Sequence, residues 1–176
     1  MRIAGSKIGC FDVLCQLRRL KRWQWGLIGM SVALAVVAYF VVDAHRISSA
    51  PFSNDAWCGK VVDRAPEKIF SDSRDWVIGD GVASWGKQHL TLRCGVEELE
   101  PTVNLCVNAD GVDWVLDEEK LKIDGVSSLT TYGRSPAVEL TYSGPKEDVG
   151  GILSSLKSTV VGIPQHSKCL GEGDSF

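Results

Sequence analysis

The sequence predicts an α+β protein with a single N-terminal transmembrane helix. The extracytoplasmic domain that follows is expected to hold an antiparallel sheet of about five strands covered by helices. An apolar run without a charged residue occupies residues 25–42, directly behind a basic cluster. Short β-branched or alternating segments then recur between turn residues, which is typical of antiparallel strands. Apolar residues at helical spacing lie on either side of these segments.

The apolar run is long enough to cross a bilayer. Its 18 residues rise about 1.5 Å each in a helix, which gives roughly 27 Å, close to the hydrocarbon thickness of a membrane. Before Trp23 the chain carries six Lys and Arg against one acid, Asp12. Because basic flanks stay in the cytoplasm, we expect a plasma-membrane protein with a cytoplasmic N-terminus and an external domain. A cleaved signal and a buried core helix are the alternatives. The length of the run disfavours cleavage, and the basic cluster disfavours a core helix.

Composition divides the chain into five regions. Residues 1–22 form a basic cytoplasmic tail, residues 23–43 the transmembrane helix in contact with lipid, and residues 44–56 a polar tether. Residues 57–170 form the extracytoplasmic α+β domain, which is long enough for a core of its own, and residues 171–176 form a tail.

The charge of the external part excludes one class of partner. From Asp43 onward the chain has 13 Lys and Arg against 21 Asp and Glu, a net charge of −8. A domain this acidic is a poor candidate for binding nucleic acid, because phosphate contacts require basic side chains. It suits a basic partner, or it is simply a soluble acidic surface.

The predicted elements follow one another closely. A helical pattern covers residues 58–70 and is disturbed by Pro66, and residues 71–86 read as a loop with short strand pieces around Trp76. A second helical pattern covers residues 147–161 and ends before Pro164. Between the helices, strands are predicted at residues 89–96, 105–108, 112–116, 127–132 and 137–142.

The cysteines divide at the membrane. Cys10 and Cys15 belong to the predicted cytoplasmic tail, where thiols stay reduced. Four cysteines follow the span, and an even number in an oxidising compartment predicts two disulfides. Four cysteines allow three pairings. A hairpin that turns near Pro101 would favour the pairing in which Cys94 is bonded to Cys106. The four are Cys58, Cys94, Cys106 and Cys169.

The chain lacks the motifs of the common catalytic sites. It has no Gly-x-Ser-x-Gly, His-Glu-x-x-His or Gly-rich phosphate loop. The segment from Asn108 to Asp113 has closely spaced oxygen ligands, but their register departs from that of a calcium loop. A hairpin with Asp110-Gly111 in the left-handed conformation explains it better. We therefore expect neither catalysis, nor a cofactor, nor a metal.

Four side chains are candidates for contact with a ligand or partner. Trp85 and Trp114 are large apolar groups that also suit a core, and Arg134 between a strand and Pro136 also suits a salt bridge. A pocket lined by these three residues and Tyr132 would favour a ligand-binding module. A domain with one apolar patch and no such pocket would favour a protein partner.

Four motifs occur in a fixed order between residues 58 and 164. Together they resemble an actinobacterial family of small secreted or membrane-anchored proteins, classed as a domain of unknown function. The chain departs from the family pattern at Lys87 and Gln88 and by the insertion of Ala109 and Asp110. The resemblance implies the compartment and the domain extent, and it implies no activity. The motifs are Trp85-Gly86, Leu92-Arg93-Cys94-Gly95-Val96, Val107-Asn108 with Gly111-Val112-Asp113-Trp114, and Thr130-Thr131-Tyr132-Gly133-Arg134.

The resemblance also implies a disulfide pairing. In the family an early cysteine recurs with the cysteine of the Arg-Cys-Gly motif, which here are Cys58 and Cys94. The complementary bridge joins Cys106 to Cys169 and would hold down the C-terminal segment. The rival pairing, Cys94 with Cys106, remains open at this stage.

The sequence as a whole favours a non-catalytic, single-pass protein whose external domain binds a partner protein. The role expected is that of an accessory or assembly subunit of a membrane or cell-envelope complex. The alternative is a small envelope enzyme or ligand-binding module whose site is built from loops and leaves no motif.

Overall fold

The computed structural model describes the backbone of residues 11–169 and the side chains of residues 27–169. The predicted tail 171–176 and Cys10 lie outside the described residues. The described chain forms two compact units, which divide after Ala44.

The first unit is a single long helix, α1 (Phe11–Ala44). Its stretch Leu27–Ala44 has a mean hydropathy of 2.2 over 18 residues and is fully exposed in the chain itself. By length and composition it can cross a membrane, and it is the one helix of the described residues that can. The predicted span of residues 23–43 lies inside it.

The second unit is an α+β domain, as predicted. Its helices are α2 (Ala56–Arg64), α3 (Glu118–Asp124), α4 (Val149–Ser155) and α5 (Lys157–Val160), with a 3₁₀ turn at Lys146–Asp148. A small hairpin joins β1 (Lys68–Ile69) and β2 (Asp72–Ser73). The main strands are β3 (Val82–Trp85), β4 (Leu90–Val96), β5 (Cys106–Ala109), β6 (Val112–Leu116), β7 (Ser127–Thr131) and β8 (Ala137–Tyr142).

The six main strands form one antiparallel sheet in the order β3-β4-β8-β7-β6-β5. The sequence predicted about five strands, and the additional one is β3, which lies in the segment predicted as a loop. All four of its residues are buried, so it lacks the alternation that marks a half-exposed strand. The strand pieces expected around Trp76 are absent from the described structure, where Ile78 forms only an isolated bridge to Arg46.

The predicted helices are shorter than their patterns. Helix α2 ends at Arg64 because Ala65 turns extended before Pro66, and β1 follows. The pattern over residues 147–161 breaks at Leu156 into α4 and α5. Helix α3 was not predicted from the sequence. It begins after Asp117, whose carboxylate accepts a hydrogen bond from Lys120 N at 2.9 Å, and it ends at Gly125, which has a left-handed conformation.

One face of the sheet is covered by helices, and we call it the helix face. Leu92, Leu129 and Leu140 project from it into a single core with residues of α2, α4 and α5, such as Val61 and Ile152. We call the opposite surface the polar face. The alternation of strand side chains places Arg93, Glu139 and Thr130 there, none of which is in the core.

The predicted tether is attached to the sheet. Phe52 N donates a hydrogen bond to Gly95 O at 2.8 Å, and Ile47 N donates to Ile78 O at 2.9 Å. Gly95 has φ +91° at a bulge of β4, and a Cβ there would overlap the backbone of Phe52 and Ser53. A glycine is required at this point so that the entering chain can cross the strand.

Candidate functional site

The two candidate tryptophans belong to the core. Both are fully buried. The indole N–H of Trp85 donates to Pro66 O at 2.8 Å, which fixes the chain between α2 and β1. Trp114 packs on the helix face in the same core as Leu140. Neither side chain reaches a surface where a ligand could bind.

Arg134 is also buried, and it fastens the C-terminal segment to the sheet. Its guanidinium donates to the carbonyls of Ile163 and Val161, and to the side-chain oxygen of Gln165 at 3.2 Å. Burial lowers the pKa of Arg134, and the nearby Asp113 carboxylate opposes that shift. Every described donor of this side chain except Nε has a partner, so we assign it a structural role.

Asp113 completes this attachment on the polar face. Its carboxylate accepts hydrogen bonds from Asn108 Nδ2 at 2.6 Å, Gln165 Nε2 at 2.8 Å and Cys169 N at 3.2 Å. The segment from Gln165 to Cys169 is therefore held against β6 and the turn before it. Asp110 and Gly111 occupy that turn with φ +51° and +87°, which is the left-handed hairpin that the sequence predicted.

Tyr132 lines a cavity in the described part of the chain, and the other three candidates do not line it. The cavity has a volume of about 410 Å³ and lies on the polar face, where β6 and β7 meet the segment before β5. We call it the edge cavity. Its lining combines apolar residues with the polar residues Thr102, Asn104 and Tyr132 and one basic residue, Lys168. The lining residues are Pro101, Thr102, Val103, Asn104, Leu105, Cys106, Val115, Tyr132, Lys168 and Cys169.

A charged cluster shares the polar face with the edge cavity. Glu139 Oε2 accepts from Arg93 at 3.1 Å, while its Oε1 accepts from Ser128 at 3.2 Å and lies 3.8 Å from Lys120 Nζ. The strand register places six residues side by side in one row across the polar face. In this row Glu139 and Val115, which is in the cavity wall, are two strands apart, a distance of about 10 Å. The row is Val82, Arg93, Glu139, Thr130, Val115 and Cys106.

Apolar side chains are exposed beside the edge cavity. Val103 is fully exposed, Leu105 is 52% exposed and Val107 is 37% exposed. We call these three residues the edge patch. They lie on β5 and on the segment that leads into it, at one border of the sheet. Val103 and Leu105 line the cavity, and exposed apolar groups that adjoin a cavity are typical of a binding surface.

Both disulfides are those that the family resemblance implied. Cys58 is bonded to Cys94 in the core, where both residues are fully buried, and this bond joins α2 to β4. Cys106 is bonded to Cys169 in the wall of the edge cavity, where both are half-buried. The rival bond between Cys94 and Cys106 is not formed.

The Cys106, Cys169 and Asp113 side chains do not fit a metal. Their potential ligand atoms lie within 4.8 Å of one another. However, a metal takes thiolates, and these two sulfurs are bonded to each other. The Asp113 carboxylate is already engaged by three donors, so the cluster is a structural one.

Two further pKa shifts lie near the hairpin that joins β3 and β4. Burial raises the pKa of Asp75, but hydrogen bonds from Gln88 N, Lys87 N and Ser84, together with the charge of His45, outweigh burial and leave the pKa below its usual value. Burial raises the pKa of Tyr142, and the adjacent Asp148 raises it further. Both groups stabilise local structure, and neither lines the edge cavity.

The sequence contained one unused indication of the edge cavity. Val103 is an apolar residue between the turn near Pro101 and the predicted strand at residues 105–108, and with Leu105 at the start of that strand it makes this short segment more apolar than a connecting loop usually is. The remaining wall residues, Val115 and Lys168, are brought together only by the fold. Their sequence positions gave no indication of a shared site.

Comparison with known families places the whole domain in one of them. The protein family described as "Protein of unknown function (DUF3515)" matches residues 28–167. The chain belongs to this family. The DUF3515 match begins inside the apolar part of α1 and ends two residues before Cys169. It therefore covers the sheet, the edge patch and the attachment of the C-terminal segment by Arg134.

The other two comparisons gave no relative of this DUF3515 protein. No curated protein matches the chain. No solved structure matches it either.

Proposed function

We propose that this chain is a single-pass plasma-membrane protein whose extracytoplasmic domain binds another protein of the cell envelope. Its N-terminus is cytoplasmic, and the domain acts without catalysis, as an accessory or assembly subunit. The observation that carries the proposal is the edge patch: Val103 and Leu105 are exposed in the wall of the edge cavity, and Val107 is exposed on the adjoining edge strand.

Three features support the location and the orientation. The stretch Leu27–Ala44 presents apolar side chains on all sides, as a helix in lipid does. Two disulfides within one small domain are typical of proteins that fold in an oxidising compartment. The six-to-one basic excess before Trp23 supports a cytoplasmic N-terminus.

Cysteine labelling in whole cells tests the orientation. Ser158 lies exposed on α5, and we expect Ser158→Cys to react with a membrane-impermeant maleimide in intact cells. Cys15 should react only after the membrane is permeabilised. Labelling of Cys15 but not of position 158 in intact cells would reverse the orientation.

Site-specific photocrosslinking tests the binding role. A photoreactive amino acid at Val103 should give a discrete crosslinked species of higher mass in intact membranes, because this side chain projects fully from the edge patch. The matched control is Ile123, a 71% exposed apolar residue of α3 outside the patch. Equal crosslinking from both positions, or none from Val103, would contradict the proposal.

The edge cavity supports a second candidate function, a ligand-binding module. Its volume of about 410 Å³ falls in the range of small-molecule sites, and Tyr132 and Lys168 offer a hydroxyl and a cation. A small ligand would protect Lys168 from acylation and raise the melting temperature without crosslinking to Val103. A protein partner would give the crosslink, which separates the two functions.

A further inference from the structure

We infer that the outer edge of β5 accepts an extended segment of a partner protein as an additional strand. The segment is apolar in its middle and carries a basic residue at each end. This inference rests on the proposed function and adds to it the mode of binding and the chemistry of the partner.

In the part of the chain that the structure describes, the outer edge of β5 presents unpaired backbone hydrogen-bonding groups. Leu116 N donates to Leu105 O at 2.9 Å, and bonded pairs alternate along an antiparallel ladder. Val107 and Ala109 therefore bond toward β6. Cys106 and Asn108 direct their backbone N–H and C=O away from the sheet. No strand among residues 11–169 pairs with that side of β5.

The two edges of the sheet differ. At the other edge, β3 is covered: Asp75 N donates to Ser84 O at 2.8 Å, and Arg74 bridges to Trp85. Proteins usually protect an edge strand in this way, by keeping it very short, or with a Lys, a Pro or a bulge. β5, Cys-Val-Asn-Ala, is short at four residues, but among the described residues it has no cover, Lys, Pro or bulge. Within the described chain, only this edge is left available.

An added strand would meet side chains on both faces of β5. Leu105 and Cys106 line the edge cavity, whereas Val107 does not line it and lies opposite Trp114, on the helix-face side of the strand. Alternate side chains of the added strand would then enter the cavity and cover Val107. Backbone hydrogen bonds would supply affinity, and these two apolar contacts would supply selectivity.

Two exposed carboxylates lie near the two ends of β5. Glu118 Oε1 accepts from Leu105 N at 3.1 Å, on the β6 side of the start of the strand, and Asp110 occupies the turn at its end. They are separated along β5 by about five residues, or about 17 Å of strand. A strand added outside β5 would pass both positions, and one long basic side chain near each end would match them, in a domain whose net charge is also negative.

Peptide selection tests the inference without altering the protein. Full-length protein in lipid nanodiscs would be exposed to a phage library of random 12-residue peptides, and enriched peptides would be synthesised. We expect apolar residues at alternate positions with Lys or Arg at both ends. Acidic or uncharged enriched peptides, or no enrichment, would overturn the inference.

N-methylation of the selected peptide gives the decisive measurement. An added strand bonds to its neighbour through every second residue. Methylating the backbone amides of the residues that bond to β5 should weaken binding at least tenfold. Methylating the amides of the intervening residues, which point away from β5, should change it less than twofold. Equal effects of both sets would mean that the peptide does not bind as a strand.

Charge variants locate the peptide on the domain. Asp110→Asn and Glu118→Gln retain the side-chain shapes, and each should weaken the basic peptide three- to tenfold at low salt. Asp63→Asn on α2, which packs near β4, is the matched control and should leave binding unchanged. Equal weakening by all three variants would show that only the overall charge matters and would overturn the inference.

Two outcomes separate this inference from the proposed function. If Val103 crosslinks in cells but the selected peptides do not bind as strands, partner binding stands and strand addition is wrong. If peptides bind only after removal of residues 170–176, the edge belongs to the chain's own C-terminus, and the inference is overturned. We expect that removal to change affinity less than twofold.

Discussion

Gly133 occupies a position where the backbone leaves no room for a side chain. It has φ +64°, and a Cβ there would overlap the backbone of Ser167, which lies directly against it. His166 N also donates to Gly133 O at 2.8 Å. Because the substitution adds left-handed strain and displaces the C-terminal segment, we expect Gly133→Ala to lower the free energy of unfolding by about 2–4 kcal/mol. Urea unfolding measures this loss.

Gly125 provides the control for backbone strain alone. Its φ of +70° is nearly the same, but a Cβ there would meet no atom within 4 Å. Gly125→Ala should therefore lower the free energy of unfolding by only about 1–2 kcal/mol. Equal losses in the two variants would show that the contact with Ser167 contributes nothing.

At the scale of elements, Asp75 holds the hairpin between β3 and β4. Its carboxylate accepts from Gln88 N at 2.9 Å, Lys87 N at 3.1 Å and Ser84 at 3.1 Å, and both turn residues have positive φ. Because the pKa of Asp75 is lowered in the folded state, the stabilisation is complete above its unfolded pKa of about 3.9. It is lost as the pH falls through the folded pKa.

Asp75→Asn tests this contribution. We expect the variant to lose about 1–2 kcal/mol at pH 7, since an amide cannot accept three hydrogen bonds as a carboxylate does. Its stability should fall less steeply than that of the natural protein below about pH 4. Chemical unfolding at several pH values measures both effects. Asp80→Asn, an exposed neighbour, should leave the profile unchanged.

The elements also show what could be predicted from the sequence. Strand β4 was predicted because Leu90, Leu92 and Cys94 alternate with polar residues, and this alternation is the direct result of one covered face. Strand β3 was missed because a fully buried strand does not alternate. Helix α3 was missed although its cap residues, Asp117 and Gly125, were readable as helix boundaries.

The candidate site was less predictable than the fold. Trp85, Trp114 and Arg134 were candidates because of their residue types, yet burial assigns all three to structure. Tyr132 reaches the edge cavity, whose other walls come from segments more than 60 residues apart in sequence, joined by Cys106 and Cys169. Contacts of this range follow from the tertiary fold, and local patterns do not contain them.

At the scale of the whole molecule, the two disulfides differ in their access to solvent. Cys106 and Cys169 are half-buried beside the edge cavity, whereas Cys58 and Cys94 are fully buried. Because exchange requires the attacking thiolate to reach a sulfur atom, we expect dithiothreitol to reduce the outer bond at least tenfold faster. Loss of the Cys106–Cys169 bond should lower the free energy of unfolding by about 2–4 kcal/mol. Alkylation followed by peptide mass spectrometry measures both rates.

The result of that experiment also bears on the edge cavity. The form reduced only at Cys106 and Cys169 should retain the helix-face core and lose the fixed cavity wall. Simultaneous reduction of both bonds would contradict this expectation, since it would mean that the outer bond is protected until the whole domain unfolds.

The order of the cysteines along the chain has a consequence for biogenesis. The first bond closes between Cys58 and Cys94 before the second begins at Cys106, so the two covalent loops follow one another and do not interlace. In the orientation that we propose, the part of the domain nearest the membrane helix leaves the export channel first, so each pair appears in its native order. An oxidase that joins cysteines as they appear therefore suffices, and cells without a disulfide isomerase should yield the oxidised domain undiminished.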